Sequence, residues 1–216
     1  MKKINAQKGY TIIETMIAIA LFLIVIMAGT GALLNANLLH EKSRDMRSIM
    51  DNLSFIMEDM SRNLRTGTNF RCYESGDWDL SFAAPNIDLN NPQSCESGGV
   101  IVFEEAHGRT PLLPVLKPDP DAEDQWVYKI EGDDGINFNI NKSIDGGLTW
   151  VQLNPEEVVL TSASSFSVLG AEPLAPPAND EQQPLVTIQL IGTIQFKNEI
   201  TPFSLQASVS QRVIDI

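Results

Sequence analysis

The chain begins with a long apolar run that passes directly into an amphipathic pattern. Residues 15–40 carry no formal charge over 26 positions, which exceeds the roughly 20 residues that cross a hydrocarbon core as a helix. From Met46 to Leu64, apolar side chains then recur every three or four residues, with charged residues on the other faces. This period is typical of a helix with one face on a core. The pattern predicts one helix from Ile12 to Arg65, with Gly67 as its stop.

The rest of the chain alternates apolar and polar residues with period two, which indicates strands. Residues 66–98 are rich in turn residues, and we expect loops there. Strands are predicted at 100–103, 126–130, 136–140, 186–196 and 203–209. In each of the last two strands, every second residue is apolar. This pattern favours an antiparallel hairpin whose strands have one face on the helix and are joined by a link at 197–202. The fold class predicted is α+β.

The N-terminus has the order basic leader, small residue, aromatic residue, apolar helix. Lys2, Lys3 and Lys8 precede Gly9, and the apolar helix follows Tyr10. A secretory signal has its cleavage site after the apolar core, which is then discarded. Cleavage between Gly9 and Tyr10 would instead keep the helix on the mature protein.

This arrangement resembles the class III leader of type IV prepilins and type II secretion pseudopilins. Gly9 stands where the glycine before the cut stands, Tyr10 where the N-methylated aromatic residue stands, and Glu14 at the fifth mature position. Beyond the leader, the layout of the segment 158–168 and the two terminal strands is similar to minor subunits of the PilW or PulJ (J-type pseudopilin) kind.

The resemblance implies a domain organisation and a set of partners. It implies a cleaved leader at 1–9, a helix at 10–65 that spans the inner membrane over about 12–38 and is amphipathic over 39–65, and a β-rich head at 66–216 outside the cytoplasm, in the ladle shape of pilins. Its partners would be a prepilin peptidase, an inner-membrane assembly platform and other pilin or pseudopilin subunits. It would join a type IV pilus or a pseudopilus, priming assembly at the tip.

Two features of the apolar helix have two interpretations each. Glu14 either pairs with the α-amine of a neighbouring subunit's Tyr10 and sets axial register, or lies at the helix start because the macrodipole favours negative charge there. Gly29 and Gly31 are either a soft point that unwinds on assembly or a surface for close helix packing.

Charge argues against nucleic acid as a partner. The chain has a net charge of −13, and losing the three leader lysines makes it about −16. Such a surface repels phosphates and anionic lipids, so direct nucleic acid binding is disfavoured.

Cys72 and Cys95 are the two cysteines of the chain. An oxidising compartment favours a disulfide, which would contribute about 3 kcal/mol by the chain-entropy estimate; the alternative is two free thiols. No cofactor is indicated.

Two further motifs could carry chemistry. The octapeptide 143–150 matches the Asp-box S-x-D-x-G-x-T-W of sialidase-like propellers, and a single copy predicts a hairpin turn with Trp150 packed beneath it. An acidic group, which could hold calcium or be a solvated loop, comprises Asp119, Asp121, Glu123 and Asp124.

We find no catalytic motif around His40 or His107 and predict that the chain is not an enzyme. Two other functions are compatible with parts of the sequence. One is an uncleaved, membrane-anchored binding module or adhesin, and the other is a secreted glycan-active enzyme, against which the single Asp-box argues.

Overall fold

The computed structural model describes residues 9–74, 92–106, 125–132, 136–172, 182–196 and 199–212. One helix, α1, runs from Ile12 to Thr66. The strands, listed in chain order, are β1 Thr68–Glu74, β2 Cys95–Glu104, β3 Gln125–Gly132, β4 Phe138–Ser143, β5 Val151–Gln152, β6 Val158–Leu160, β7 Ser165–Leu169, β8 Leu185–Phe196 and β9 Glu199–Ser210. The predicted α+β class is confirmed.

The chain divides into two compact units, Met1–Ser48 and Ile49–Ile216. The first consists, in its described residues, of Gly9 to Thr11 and α1 from Ile12 to Ser48. The second contains the remainder of α1 and all the described strands. The part of α1 from Ile49 to Thr66 therefore belongs with the sheet.

The strands named above form one antiparallel sheet. β2, β3 and β4 are neighbours, and β4 contacts β6 through the pair Phe138 and Leu160. β6 and β7 share one edge of β8, because β6 pairs with its residues 192–194 and β7 with its residues 185–189. β7 also pairs with β2, so the pairing returns to its starting strand. β9 pairs with the other edge of β8 along its whole length.

The core lies between the sheet and one stripe of α1. The buried helix residues are Ile49, Leu53, Ile56, Met57, Met60 and Leu64. They match the period-three and period-four stripe of the sequence. On the sheet, three aromatic rings stand together on the side of α1: Phe103 lies 5.8 Å from Phe70 and 5.8 Å from Tyr128 between ring centroids.

Gly67 ends the helix as expected. Its N–H donates to the Asn63 carbonyl at 2.9 Å, and a side chain on it would run into the Phe103 ring. The helix needs a residue without a side chain here because β1 must begin directly against β2.

Three expectations about strand limits were wrong. The segment 66–98, expected to be loops, contains β1 and the start of β2. The strand predicted at 136–140 lies at Phe138–Ser143. The hairpin link predicted at 197–202 is shorter, because Phe196 already pairs with Glu199 and Pro202 lies inside β9 opposite Thr193. In each case cross-strand pairing overrides local turn propensity.

Candidate processing and assembly site

The helix begins two residues after Tyr10. Thr11 precedes the first helical residue, Ile12, and its carbonyl accepts hydrogen bonds from the N–H groups of Glu14 at 3.1 Å and Thr15 at 3.3 Å. Gly9 and Tyr10 thus lie outside the helix, and the Tyr10 side chain is 83% exposed. The Gly9–Tyr10 peptide bond therefore lies outside the helix, between two exposed residues.

Glu14 is the acidic residue of the first helical turn, and its side chain is exposed. In that turn several N–H groups have no partner within the helix, so the carboxylate meets a favourable dipole. Four residues separate Glu14 from Tyr10, which corresponds to about 6 Å along a helix axis. The structure therefore presents the carboxylate on the surface at the helix start.

The surface of α1 that follows is apolar on all sides and uncovered. An 18-residue window reaches a mean hydropathy of 2.7, and none of it is buried. The helix passes the length and composition test for a membrane span. An apolar surface of this extent needs lipid or other helices around it.

Gly29 and Gly31 lie inside the continuous helix. A Cβ atom on either would meet nothing within 4 Å. Between them, the hydroxyl of Thr30 donates to the carbonyls of Ile26 at 2.8 Å and Met27 at 3.1 Å. Such back-bonding by threonine weakens the helical ladder slightly. The sequence interpretation had not included Thr30.

The two cysteines form a disulfide between β1 and β2, which confirms the pairing favoured from the sequence. Both are buried. Gly98 lies against them, and a Cβ atom there would approach the Tyr73 carbonyl oxygen to 2.7 Å and the Cys95 sulfur to 2.9 Å. The disulfide ties the ends of the two strands.

A polar clamp beside the disulfide was not foreseen. The Ser94 N–H and hydroxyl both donate to the Glu172 carboxylate, at 2.9 Å and 2.6 Å, and the Ala171 N–H donates to the Ser94 oxygen at 3.0 Å. Partial burial raises the pKa of Glu172, but the hydrogen bonds, chiefly from Ser94, lower it below its usual value. The clamp holds the start of β2 beside the end of β7. Residues so far apart in sequence gave no local signal.

A second unforeseen group joins α1 to the sheet. The Asn63 amide donates to the Tyr128 hydroxyl at 2.9 Å and to Asp59 at 3.2 Å. The Lys142 ammonium lies 3.3 Å from Asp59 and 4.2 Å above the ring of Trp126. Burial raises the pKa of Tyr128, which the Asn63 hydrogen bond opposes. The group fixes one rotation of the helix on the sheet.

The Asp-box forms the turn between β4 and β5, as predicted. Asp145 accepts hydrogen bonds from the Thr149 hydroxyl at 2.5 Å, the Thr149 N–H at 2.9 Å and the Ser143 hydroxyl at 2.7 Å. Slight desolvation raises the pKa of Asp145, but these hydrogen bonds together lower it to about 2. Trp150 packs on an apolar cluster of β1, β2 and β3, with the Lys129 ammonium 4.6 Å from its ring centre. The turn thus places the Trp150 ring over the apolar residues of these three strands.

The candidate calcium ligands Asp119, Asp121, Glu123 and Asp124 lie outside the described residues, as does His107. Within the described ranges, no group of three or more His, Cys, Asp or Glu side chains could hold a metal ion. The calcium site remains a prediction from sequence.

Residues 4–30 match the family described as the prokaryotic N-terminal methylation motif. The match includes Gly9, Tyr10 and Glu14 and ends between Gly29 and Gly31. No curated protein and no solved structure matches the chain. The chain therefore carries the leader motif of type IV prepilins. This motif supports a pilin-like or pseudopilin-like precursor and implies processing and assembly with subunits of that type. An apolar N-terminal helix and this leader fit a membrane-anchored protein.

Proposed function

We propose that this chain is a structural minor pilin or pseudopilin subunit. A prepilin peptidase cuts after Gly9 and methylates the amine of Tyr10. The subunit then waits in the inner membrane through the apolar part of α1, with the strands outside the cytoplasm. It enters a type IV pilus or a type II secretion pseudopilus by helix bundling, and as a subunit of the PilW or PulJ kind it primes assembly at the tip.

The observation that carries this proposal is the position of the motif. The methylation motif, residues 4–30, contains Gly9 and the start of the uncovered apolar helix, so cutting after Gly9 leaves that helix on the product. Van der Waals packing between bundled apolar helices supplies the energy of association. The disulfide supports export, because disulfides persist in oxidising compartments. The minor-subunit assignment rests on the pattern of the terminal strands.

Glu14 is the register residue in this proposal. In a bundle of apolar helices, a neighbour shifted along the axis would leave one charge without its partner, which is costly. The carboxylate of one subunit would therefore fix the height of the next through the amine of its Tyr10. Association by apolar contacts alone would lack this preference.

The test of this role compares two neighbouring residues in the host that produces the filament. Glu14→Ala should still be cleaved and inserted in the membrane but should be lost from sheared filaments. Thr15→Ala removes a hydroxyl whose hydrogen bond runs to the Ile12 carbonyl of the same helix, and it should incorporate normally. Normal incorporation of Glu14→Ala would contradict the register role.

Gly29 and Gly31 are the soft point in this proposal. Replacing both glycines by alanine should stabilise the helix by about 2 kcal/mol, since each glycine in a helix costs about 1 kcal/mol relative to alanine. Alanine is also small, so close helix packing is largely retained. We expect the double alanine variant to stay in the membrane and to enter filaments poorly. Incorporation equal to the wild type would refute unwinding at this point.

Pilus and pseudopilus share the leader, so the parent system is decided by association. Mild cross-linking in whole cells followed by purification of the chain should recover either pilus or secretion components. Recovery of neither, with an uncut N-terminus, would support the membrane-anchored binding module instead.

A further inference from the structure

In the described sheet, three strands pair with another strand on one side only: β1, β5 and β9. The open edges of β1 and β5 are protected, whereas that of β9 is not. β5 has two residues. β1 is irregular, with two register shifts and a positive φ of 55° at Asn69, and Gln93 covers part of its outer side through hydrogen bonds with Phe70 and Cys72. Short, bulged or covered edges of this kind prevent pairing with other chains.

β9 has few of these protections. It is 12 residues long and pairs with β8 without a register shift. Residues 200–210 carry no charge, in a chain of net charge −13. Just beyond the strand, the Arg212 N–H donates to the Arg65 carbonyl of α1 at 2.8 Å. Along β9 itself, the described residues show none of the usual devices that block an edge apart from Pro202. A long, regular and uncharged edge is a template for a further strand.

One face of β8 carries a row of apolar residues, and this row continues onto β9, where its side chains are less buried. Phe203, Leu205 and Ala207 lie on the same face as the buried β8 residues Gly192, Leu190 and Ile188, with which they pair. On β8 this row is buried, whereas Phe203, Leu205 and Ala207 are only half-buried. One more strand beside β9 would complete their burial.

Pro202 indicates which backbone groups point outward. A proline inside a paired strand turns its nitrogen away from its partner strand, because it has no N–H to donate. Backbone groups alternate in direction along a strand. Ser204, Gln206 and Ser208 therefore direct their N–H and C=O groups to the open edge.

The strand that fits this edge occurs in the chain itself. β9 alternates apolar residues with serine and glutamine and has no carboxylate after Glu199, so two acidic chains meet there with the least repulsion. The other one-sided strands are too short or too irregular to pair with it. Pairing of β9 with a second β9 is isologous, which is the commonest symmetry of protein dimers.

We propose that two copies of this chain associate through antiparallel pairing of their β9 strands. Keeping both apolar rows on one face requires a twofold axis at a residue position. Pro202 has no outward N–H to donate, so it ends the pairing, and the longest pairing that it allows, over residues 202–210, places the axis at Gln206. Gln206 then faces Gln206 of the second copy, Leu205 faces Ala207, and Ser204 faces Ser208. The dimer does not depend on the filament role, since it rests on β9 alone.

Cysteine cross-linking of the full chain in membranes tests both the pairing and its register. Residues facing each other in a hydrogen-bonded pair have Cα atoms about 5.5 Å apart, a distance that a disulfide spans. Gln206→Cys should give a reducible dimer with a mild oxidant. Ser204→Cys alone should not, because its two copies are about 13 Å apart, but it should cross-link to Ser208→Cys when both variants are produced together.

Two controls separate edge pairing from proximity caused by α1. Ser162 is exposed and lies between β6 and β7, so Ser162→Cys should remain monomeric. Adding Ser204→Pro to Gln206→Cys removes an outward N–H at an exposed position, and the dimer should disappear while the melting temperature stays unchanged. Equal cross-linking at positions 162, 204 and 206, or none at 206, would overturn the proposal.

Discussion

The packing of α1 on the sheet makes a sharp prediction, because two neighbouring apolar residues of the helix differ completely in burial. Leu53 is 0% exposed and Phe55 is 70% exposed. Leu53→Ala removes three carbon atoms from the core, worth about 2.4 kcal/mol at about 0.8 kcal/mol each. The cavity left behind brings the expected loss to about 3 kcal/mol. Phe55→Ala, an exposed position, should change stability by less than about 0.5 kcal/mol.

Urea unfolding of the full chain in detergent, followed by tryptophan fluorescence, measures this difference. Trp126 and Trp150 lie on the sheet beside the core and report its unfolding. With a slope of about 2 kcal/mol per molar urea, the midpoint for Leu53→Ala should fall by about 1.5 M, and that for Phe55→Ala should hardly move. Equal midpoint shifts for the two variants would refute the assignment of the buried helix face.

Three other predictions concern the sheet. Reduction of the Cys72–Cys95 disulfide should lower the free energy of unfolding by about 3 kcal/mol, measured by urea unfolding with and without reductant; an unchanged midpoint would contradict its role. The hydrogen bonds of the turn lower the pKa of Asp145 from 3.8 to about 2. The stabilisation of the turn by Asp145 is therefore fully present above pH 3.8, the pKa in the unfolded chain, and is lost as the pH falls through 2. An amide NMR titration in which Asp145→Asn behaved like the wild type would contradict this. Burial raises the pKa of Tyr128 above its usual 10.0, so the stability measured by urea unfolding should decline as the pH rises above 10; Tyr128→Phe should cost about 1 kcal/mol through loss of the Asn63 hydrogen bond, and a stability that did not change with pH in this range would contradict the assignment.

Local sequence patterns were sufficient for the elements with a strong period. The helix was predicted at residues 12–65 and observed at Ile12–Thr66, because a 26-residue uncharged run followed by a regular stripe has no strand interpretation. The β8 and β9 strands followed from period-two alternation. The Asp-box turn also followed, since it is a short motif with one common structural outcome, and the disulfide followed from the preference of disulfides for an oxidising compartment.

Non-local pairing was outside the reach of those patterns. β1 was missed because its residues, Thr68–Glu74, include Asn69 and sit among turn residues, and only pairing with β2 makes them a strand. The clamp of Ser94 and Glu172 joins residues 78 positions apart. The helix anchor through Asn63 and Tyr128 spans 65 positions. No window of sequence contains both partners of such contacts.

The leader is the part of the candidate site that sequence defined most completely. Its residues act through their order along the chain, so Gly9, Tyr10 and Glu14 can be assigned without tertiary contacts. In the structure they lie at or before the first turn of α1 and are exposed. Their roles in cutting, methylation and register depend on other proteins, and those roles remain proposals.

The most direct test of the account is the N-terminus of the mature protein. Intact-mass measurement and N-terminal fragmentation of the chain purified from its host should show N-methylated tyrosine, Tyr10, as the first residue, with α1 retained. In a host lacking prepilin peptidase the same chain should begin at the leader. A mature protein that starts at Met1 in a host with active peptidase, or one that has lost the apolar helix, would contradict the central claim.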